Sequence, residues 1–172
     1  QLRRLNIPTY TAEPASLDQL ADQVEALAMA LNRPERGQAL AAQLRQRLAQ
    51  LREQYRRDPP LRAFYQVWDQ PLYTLGGGQI ISDALAVCGA SNVFDDLTLP
   101  APQVSIEAVL QRNPEVIIAS TQVQLDAWKA WPQLDAVKHG RLLLLADKGL
   151  ERPSGQMLEA TGKLCEQLSE DH

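Results

Sequence analysis

Three short runs rich in branched and aromatic residues, LRAFYQVW from Leu61, EVIIAS from Glu115 and RLLLLAD from Arg141, constrain this chain more than anything else in it. Helical stretches of roughly ten residues separate them, so adjacent strands must be joined by βαβ crossovers. That alternation predicts an α/β fold, a single Rossmann-like lobe whose mainly parallel sheet carries helices on both faces. Ligands of such sheets sit beyond the carboxyl ends of the strands. Three loops leave those ends: Trp68 to Gly78, Ser120 to Gln124, and Asp147 to Arg152.

The segment before the first run is helical. Ser16 followed by Gln19 forms a capping box, after which Leu17, Leu20, Ala21, Val24, Leu27, Ala28 and Leu31 keep the helical period. Pro34 opens a second helix that the spacing carries to Arg57, where Asp58-Pro59-Pro60 stops it. Its apolar stripe (Leu40, Leu44, Leu48, Leu51, Tyr55) is one large residue per turn, a narrow seam suited to lying across a surface. At 1.5 Å per residue such a helix spans roughly 36 Å and acts as a strut. Further helices are expected from Gly78 to Val87, after a Ser105 cap, in short pieces around Trp128 to Lys138, and from Pro153 to Leu168. The opening QLRRLNIPTY reads as the end of a helix running into a strand, so further chain upstream is expected.

A net charge of −4 with both signs interspersed argues against a nucleic-acid partner and against a basic membrane-surface helix. The longest apolar run, Leu142 to Ala146, is far short of the roughly 20 residues that cross a bilayer. His139 and His172 stand alone and the two cysteines form no CxxC, so no metal site is written here. Spacing leaves Cys88 and Cys165 open between a bridge and two separate buried thiols.

The stretch QPLYTLGGGQ poses the functional question. Gly76 and Gly78 match the start of a dinucleotide fingerprint, but Ile81 occupies the third glycine position and no Walker lysine follows. An enzyme holding a phosphate on the Gly76–Gly78 turn at a helix N-terminus is one reading. The plainer one is a tight turn with close backbone packing. Tyr65, Trp68, Tyr73, Trp128 and Trp131 all fall on or after predicted strands, as flat walls for a large planar or apolar ligand or as core. His139 has no evident nucleophile partner, and the carboxylate pairs Asp95/Asp96 and Asp147/Glu151 are ordinary for solvated loops. No catalytic set is expected.

The ordered run QPLYTLGGGQIISDALAVCGASNVFDD, PAPQVSIEAVL, NPEVIIAS and AVKHGRLLLLADKGLERPSGQMLEA resembles the C-terminal lobe of periplasmic substrate-binding proteins of ABC importers. The subgroup is the one that carries metal chelates (cobalamin, ferric siderophores, haem), with the cobalamin-binding members most similar. The resemblance implies that residues 1–60 hold the end of an N-terminal lobe and a long inter-lobe helix, and residues 61–172 the C-terminal α/β lobe. It implies a monomeric, non-catalytic periplasmic receptor, soluble or lipid-anchored, with no cofactor of its own. Its partners would be a small-molecule metal chelate and a membrane permease.

Residue by residue, the resemblance places Tyr73 against a corrin ring and Asp147, Glu151 and Arg152 at the ligand's amide-rich edge, where carboxylates accept and a guanidinium donates. It pairs Cys88 with Cys165 in a disulfide, as an oxidising compartment permits. It makes Glu107 a permease-docking carboxylate, although a glutamate in a first helical turn also answers the helix dipole. Two positions depart from the pattern: Ala101 stands where a tryptophan is usual, and Gln156 where an arginine is. The first removes a flat wall, which Trp68 would replace. A siderophore or haem carrier is the alternative, and for haem only Tyr65 or Tyr73 would serve as axial ligand.

Overall fold

The computed structural model describes residues 14–145 and 156–170. Helices α1 (Leu17–Ala30) and α2 (Pro34–Gln54) form an antiparallel pair. The Ser16 hydroxyl accepts from the Gln19 amide as expected, but the Gln19 side chain accepts from the Ala15 amide, one residue before the N-cap, so the return bond of the expected box falls one residue early. Arg45 of α2 bonds Asp22 and Glu25 of α1, and Arg52 bonds Asp18. Helix α2 ends three residues before the expected stop.

Among the described residues the sheet has four strands in the order β4-β1-β5-β6, where β1 is Leu61–Tyr65, β4 Ala90–Asn92, β5 Val116–Ala119 and β6 Leu142–Leu144. All three pairings are parallel. Helix α3 (Ile80–Val87) links β1 to β4, and α4 (Ile106–Arg112) returns the chain across β1 to β5. Helices α5 (Gln122–Ala127) and α6 (Asp135–Lys138), with a 3-10 turn at Trp128–Ala130 between them, lead to β6, and α7 (Gln156–Glu170) closes the chain.

Alternation along the strands sorts the core into two layers. Ala63, Tyr65, Val116, Ile118 and Leu143 face α1, α2, α3 and α7, meeting Leu48, Leu51, Leu85, Met157 and Leu164. Phe64, Ile117 and Ala119 face the other way, onto Val109, Leu125, Trp128, Leu134 and Ala136. The narrow α2 seam thus lies over one sheet face at Leu48 and Leu51, while Leu40 stays in solvent. Cys88 and Cys165 are joined in a disulfide that ties the end of α3 to α7, with Cα atoms 4.7 Å apart.

Two local expectations are corrected, and one strand had not been expected. The run LRAFYQVW is not one strand: β1 stops at Tyr65, and Trp68–Asp69 (β2) pairs with Leu72–Tyr73 (β3) in a separate antiparallel hairpin. The polar Gln66, buried among apolar neighbours, marks the break. Strand β4 follows Gly89 directly and is too short to show a period. Helix α3 begins at Ile80, because the glycines before it are held by another segment.

Candidate functional site

Strand order reverses about β1, since the chain leaves it for β4 on one side and returns to β5 on the other. The loops after β1 and β5 therefore diverge, opening a crevice at the carboxyl edge of the sheet. The hairpin stands in that edge. Its base is fixed from beneath: Trp128 Nε1 donates to Gln66 Oε1 at 2.7 Å, and Gln66 Nε2 donates to the Trp68 carbonyl at 3.3 Å. The Thr74 hydroxyl donates to the Tyr65 carbonyl at 2.7 Å, locking the far strand to the end of β1.

Within the hairpin, Trp68 lies directly opposite Tyr73 and Asp69 opposite Leu72. Cross-strand partners share a face, so the ribbon has an aromatic side and an acidic-apolar side. Trp68 is 57% exposed, and Tyr73 is half-buried. On its other flank Tyr73 bridges antiparallel to Gln103, with the Thr74 amide donating to the Pro102 carbonyl and the Val104 amide to the Leu72 carbonyl. By that register Gln103 is the direct neighbour of Tyr73, and exposed Ala101 falls two residues away, on the same face, where a larger ring would lengthen the wall. Trp68 adjoins Tyr73 from the opposite side and extends the wall there.

The other aromatics have different places. Tyr65 is 2% exposed, within the core facing α3 and α7, so it cannot serve as a ligand for haem. Trp128 stacks edge-on with Phe64 in the second core, its ring centroid 5.7 Å away. Trp131, half-buried, borders a groove of about 280 Å³ together with Asp69, Leu72, Ile106 and Val123. That groove lies on the face of the ribbon away from the Trp68–Tyr73 pair.

The triple glycine is a packing device. The Gly76 amide donates to the Pro100 carbonyl and the Gly77 amide to the Leu97 carbonyl. A Cβ on Gly76 would strike the Leu99 carbonyl, and one on Gly77 the Asp95 carbonyl. Gly78 takes a positive φ of 79°. With two of the three amides already given to backbone oxygens, the turn offers no phosphate cradle.

Of the remaining candidates, Glu107 is exposed in the first turn of α4, whose N-cap Ser105 accepts from the Ala108 amide. Asp96 pairs bidentately with Arg112 at 2.8 and 3.2 Å, and this hydrogen-bonded guanidinium holds its carboxyl below the usual aspartate range. Arg112 also lies 4.8 Å over the Phe94 ring. That pair is structural. Asp147, Glu151 and Arg152 lie outside the described residues. Among the described residues no cluster of His, Cys, Asp and Glu could hold a metal, and no helix is long and apolar enough to cross a membrane. The groove and the hairpin went unread in the sequence; the Gln70-Pro71 dipeptide between β2 and β3 was a local turn signal for the hairpin.

A parallel α/β sheet, a switch point at β1 and an aromatic ribbon at its carboxyl edge form the kind of edge at which such sheets take ligands. The chain belongs to the periplasmic binding protein family, whose model matches residues 1–148. It is 39% identical to a vitamin B12-binding protein of Vibrio cholerae serotype O1 over 171 residues, 98% of this chain and 62% of that protein. A vitamin B12-binding protein of Yersinia pseudotuberculosis serotype O:1b is 37% identical over 172 residues, 98% of this chain and 60% of that one. The chain thus spans less than two thirds of the length of these relatives. The crystal structure of the periplasmic vitamin B12-binding protein BtuF of Vibrio cholerae superposes with a TM-score of 0.80 at 38% identity, covering 92% of this chain and 63% of that one. The haem-binding RhuT of Roseiflexus shares the fold, with a TM-score of 0.77 at 23% identity over 92% of this chain and 65% of its own.

Proposed function

We propose that this chain is the C-terminal part of a periplasmic receptor that captures cobalamin or a related corrinoid and delivers it to the permease of an ABC importer. The observation that carries this reading is the 39% identity to a vitamin B12-binding protein over 98% of the chain. The Trp68–Tyr73 wall fits it, because two flat side chains on one ribbon face suit the rim of a large macrocycle. Asp147, Glu151 and Arg152 would bond the ligand's peripheral amides, a role that rests on the resemblance. Residues 1–60 would close an N-terminal lobe and join it through α2, and the wall described here would be half of a cleft. The receptor binds and releases its cargo without chemistry. Its disulfide suits the oxidising periplasm.

Isothermal titration of the two-lobed receptor with cyanocobalamin tests this. Stoichiometric heat at micromolar protein is expected, and its absence would sink the reading. A haem carrier is the second reading, favoured only by the shared fold with haem-binding relatives. A new visible band on adding haemin, lost in Tyr73→Phe, would support it.

A further inference from the structure

Two neighbouring residues in the first turn of α3 tie it to two separate parts of the molecule. The Ser82 hydroxyl donates to the Gly76 carbonyl at 3.0 Å, just beyond the end of β3. Asn92 of β4, 3% exposed, backs that bond by donating to the Ser82 hydroxyl at 2.9 Å and to the Leu75 carbonyl at 2.8 Å. The segment that leaves the aromatic ribbon is thus clamped onto α3. One position on, the Asp83 carboxylate accepts from the Leu17 amide at 2.9 Å, across 66 residues of sequence. Leu17 opens α1, whose first amides have no partner within the helix. Ser16 answers the Gln19 amide from within the segment, but the Leu17 amide takes its acceptor from α3. Pro14 and Leu17 are buried, and Leu17 and Leu20 share a core layer with Ala84 and Leu85. Apolar burial seats the start of α1 without giving it a direction, whereas a hydrogen bond weakens steeply off line. A charge-assisted bond therefore aims the helix.

We infer that Asp83 is a positioning residue: it fixes the direction in which the chain enters this lobe, and so holds the upstream cleft wall in register with Trp68 and Tyr73. The inference rests on the receptor reading above, in which the chain before α1 comes from the second lobe. Because Ser82 and Asp83 are adjacent on one helical turn, the entry point and the root of the aromatic ribbon share a single support. A cleft made of two bodies binds tightly only when its walls are already aligned, since ordering them on binding lowers affinity. Asp83 touches no ligand in this arrangement and acts through Leu17 alone.

The test uses the two-lobed receptor with one nitroxide at Glu159→Cys, exposed on α7, and a second on the upstream lobe. Pulsed electron resonance then reads the distances between lobes. Asp83→Ala should broaden the distance distribution without ligand and weaken cyanocobalamin binding roughly threefold to tenfold. Asp83→Asn keeps an acceptor oxygen and should restore most of both. Ser16→Ala removes the local cap of α1, so it should lower the melting temperature while leaving the distances narrow. If Asp83→Ala lowers the melting temperature alone, or if Ser16→Ala broadens the distances equally, the inference falls. If the distances respond as stated but the parent binds no cyanocobalamin, the corrinoid reading falls and Asp83 keeps its role.

Discussion

Trp128 and Gln66 tie the 3-10 turn after α5 to the end of β1: the indole N–H of one donates to the buried amide oxygen of the other at 2.7 Å. Because Gln66 also holds the Trp68 carbonyl, this bond sets the base of the aromatic ribbon. Trp128→Phe leaves a buried acceptor unpaired, a loss of about 1–3 kcal/mol. Urea unfolding should report that loss, and cyanocobalamin affinity should fall several-fold through the loosened hairpin.

Trp68 and Tyr73 act as one surface. Tyr73→Ala and Trp68→Ala should each lower corrinoid affinity by about tenfold, equivalent to roughly 1.4 kcal/mol. Trp68 is exposed, so its substitution should leave stability nearly unchanged. Ala101→Trp should strengthen binding by lengthening the wall diagonally from Tyr73. Calorimetric titration checks all three.

The glycines differ in what they tolerate. Gly76→Ala drives a methyl group into the Leu99 carbonyl, backbone that cannot rotate away, and should cost about 1–3 kcal/mol. Gly78 faces open space but has a positive φ, so Gly78→Ala should cost only about 1 kcal/mol. Paired denaturation curves would rank them, and equal losses would contradict the packing explanation.

Removing the disulfide should be the most damaging covalent change. The bridge spans 77 residues of sequence and joins α3 to α7, so Cys88→Ala with Cys165→Ala should cost about 2–5 kcal/mol. Both sulfur-bearing residues are buried, at 2% and 0% exposure. Reductant without denaturant should accordingly act slowly, as followed by thiol labelling over time.

Acid should loosen the β4–α4 connection. The folded Asp96 carboxyl titrates below its unfolded value because Arg112 bonds its charged form. Its contribution is thus complete above the unfolded value, about 4, and is lost as pH falls through the lower folded one. Both side chains reach solvent, so the effect is modest. Melting temperatures of the parent and Asp96→Asn should differ at neutral pH and draw together as pH falls through the depressed folded value.

The pattern of short apolar runs and intervening helices was enough to establish the α/β class and the parallel crossovers, because hydrophobic periodicity is a local property of the chain. The Ser16 and Ser105 caps and the position of α2 were legible for the same reason. The motif run carried the family. The break after Tyr65 was not legible: Gln66 ends β1 only because Trp128, 62 residues on, supplies its partner. Nor could composition separate Tyr65 and Trp128, which are core, from Trp68 and Tyr73, which are wall, since all four are aromatics near strand ends.

Residue types and their periods determined which segments would become strands and helices and which chemistry was on offer. The tertiary structure alone decided which ring faces solvent, which glycine amides are spent, and that Asp69 and Trp68, neighbours in the chain, serve opposite faces of one ribbon. The physical reason is that exposure and hydrogen-bond pairing depend on what packs alongside, and those neighbours come from segments far away in the sequence.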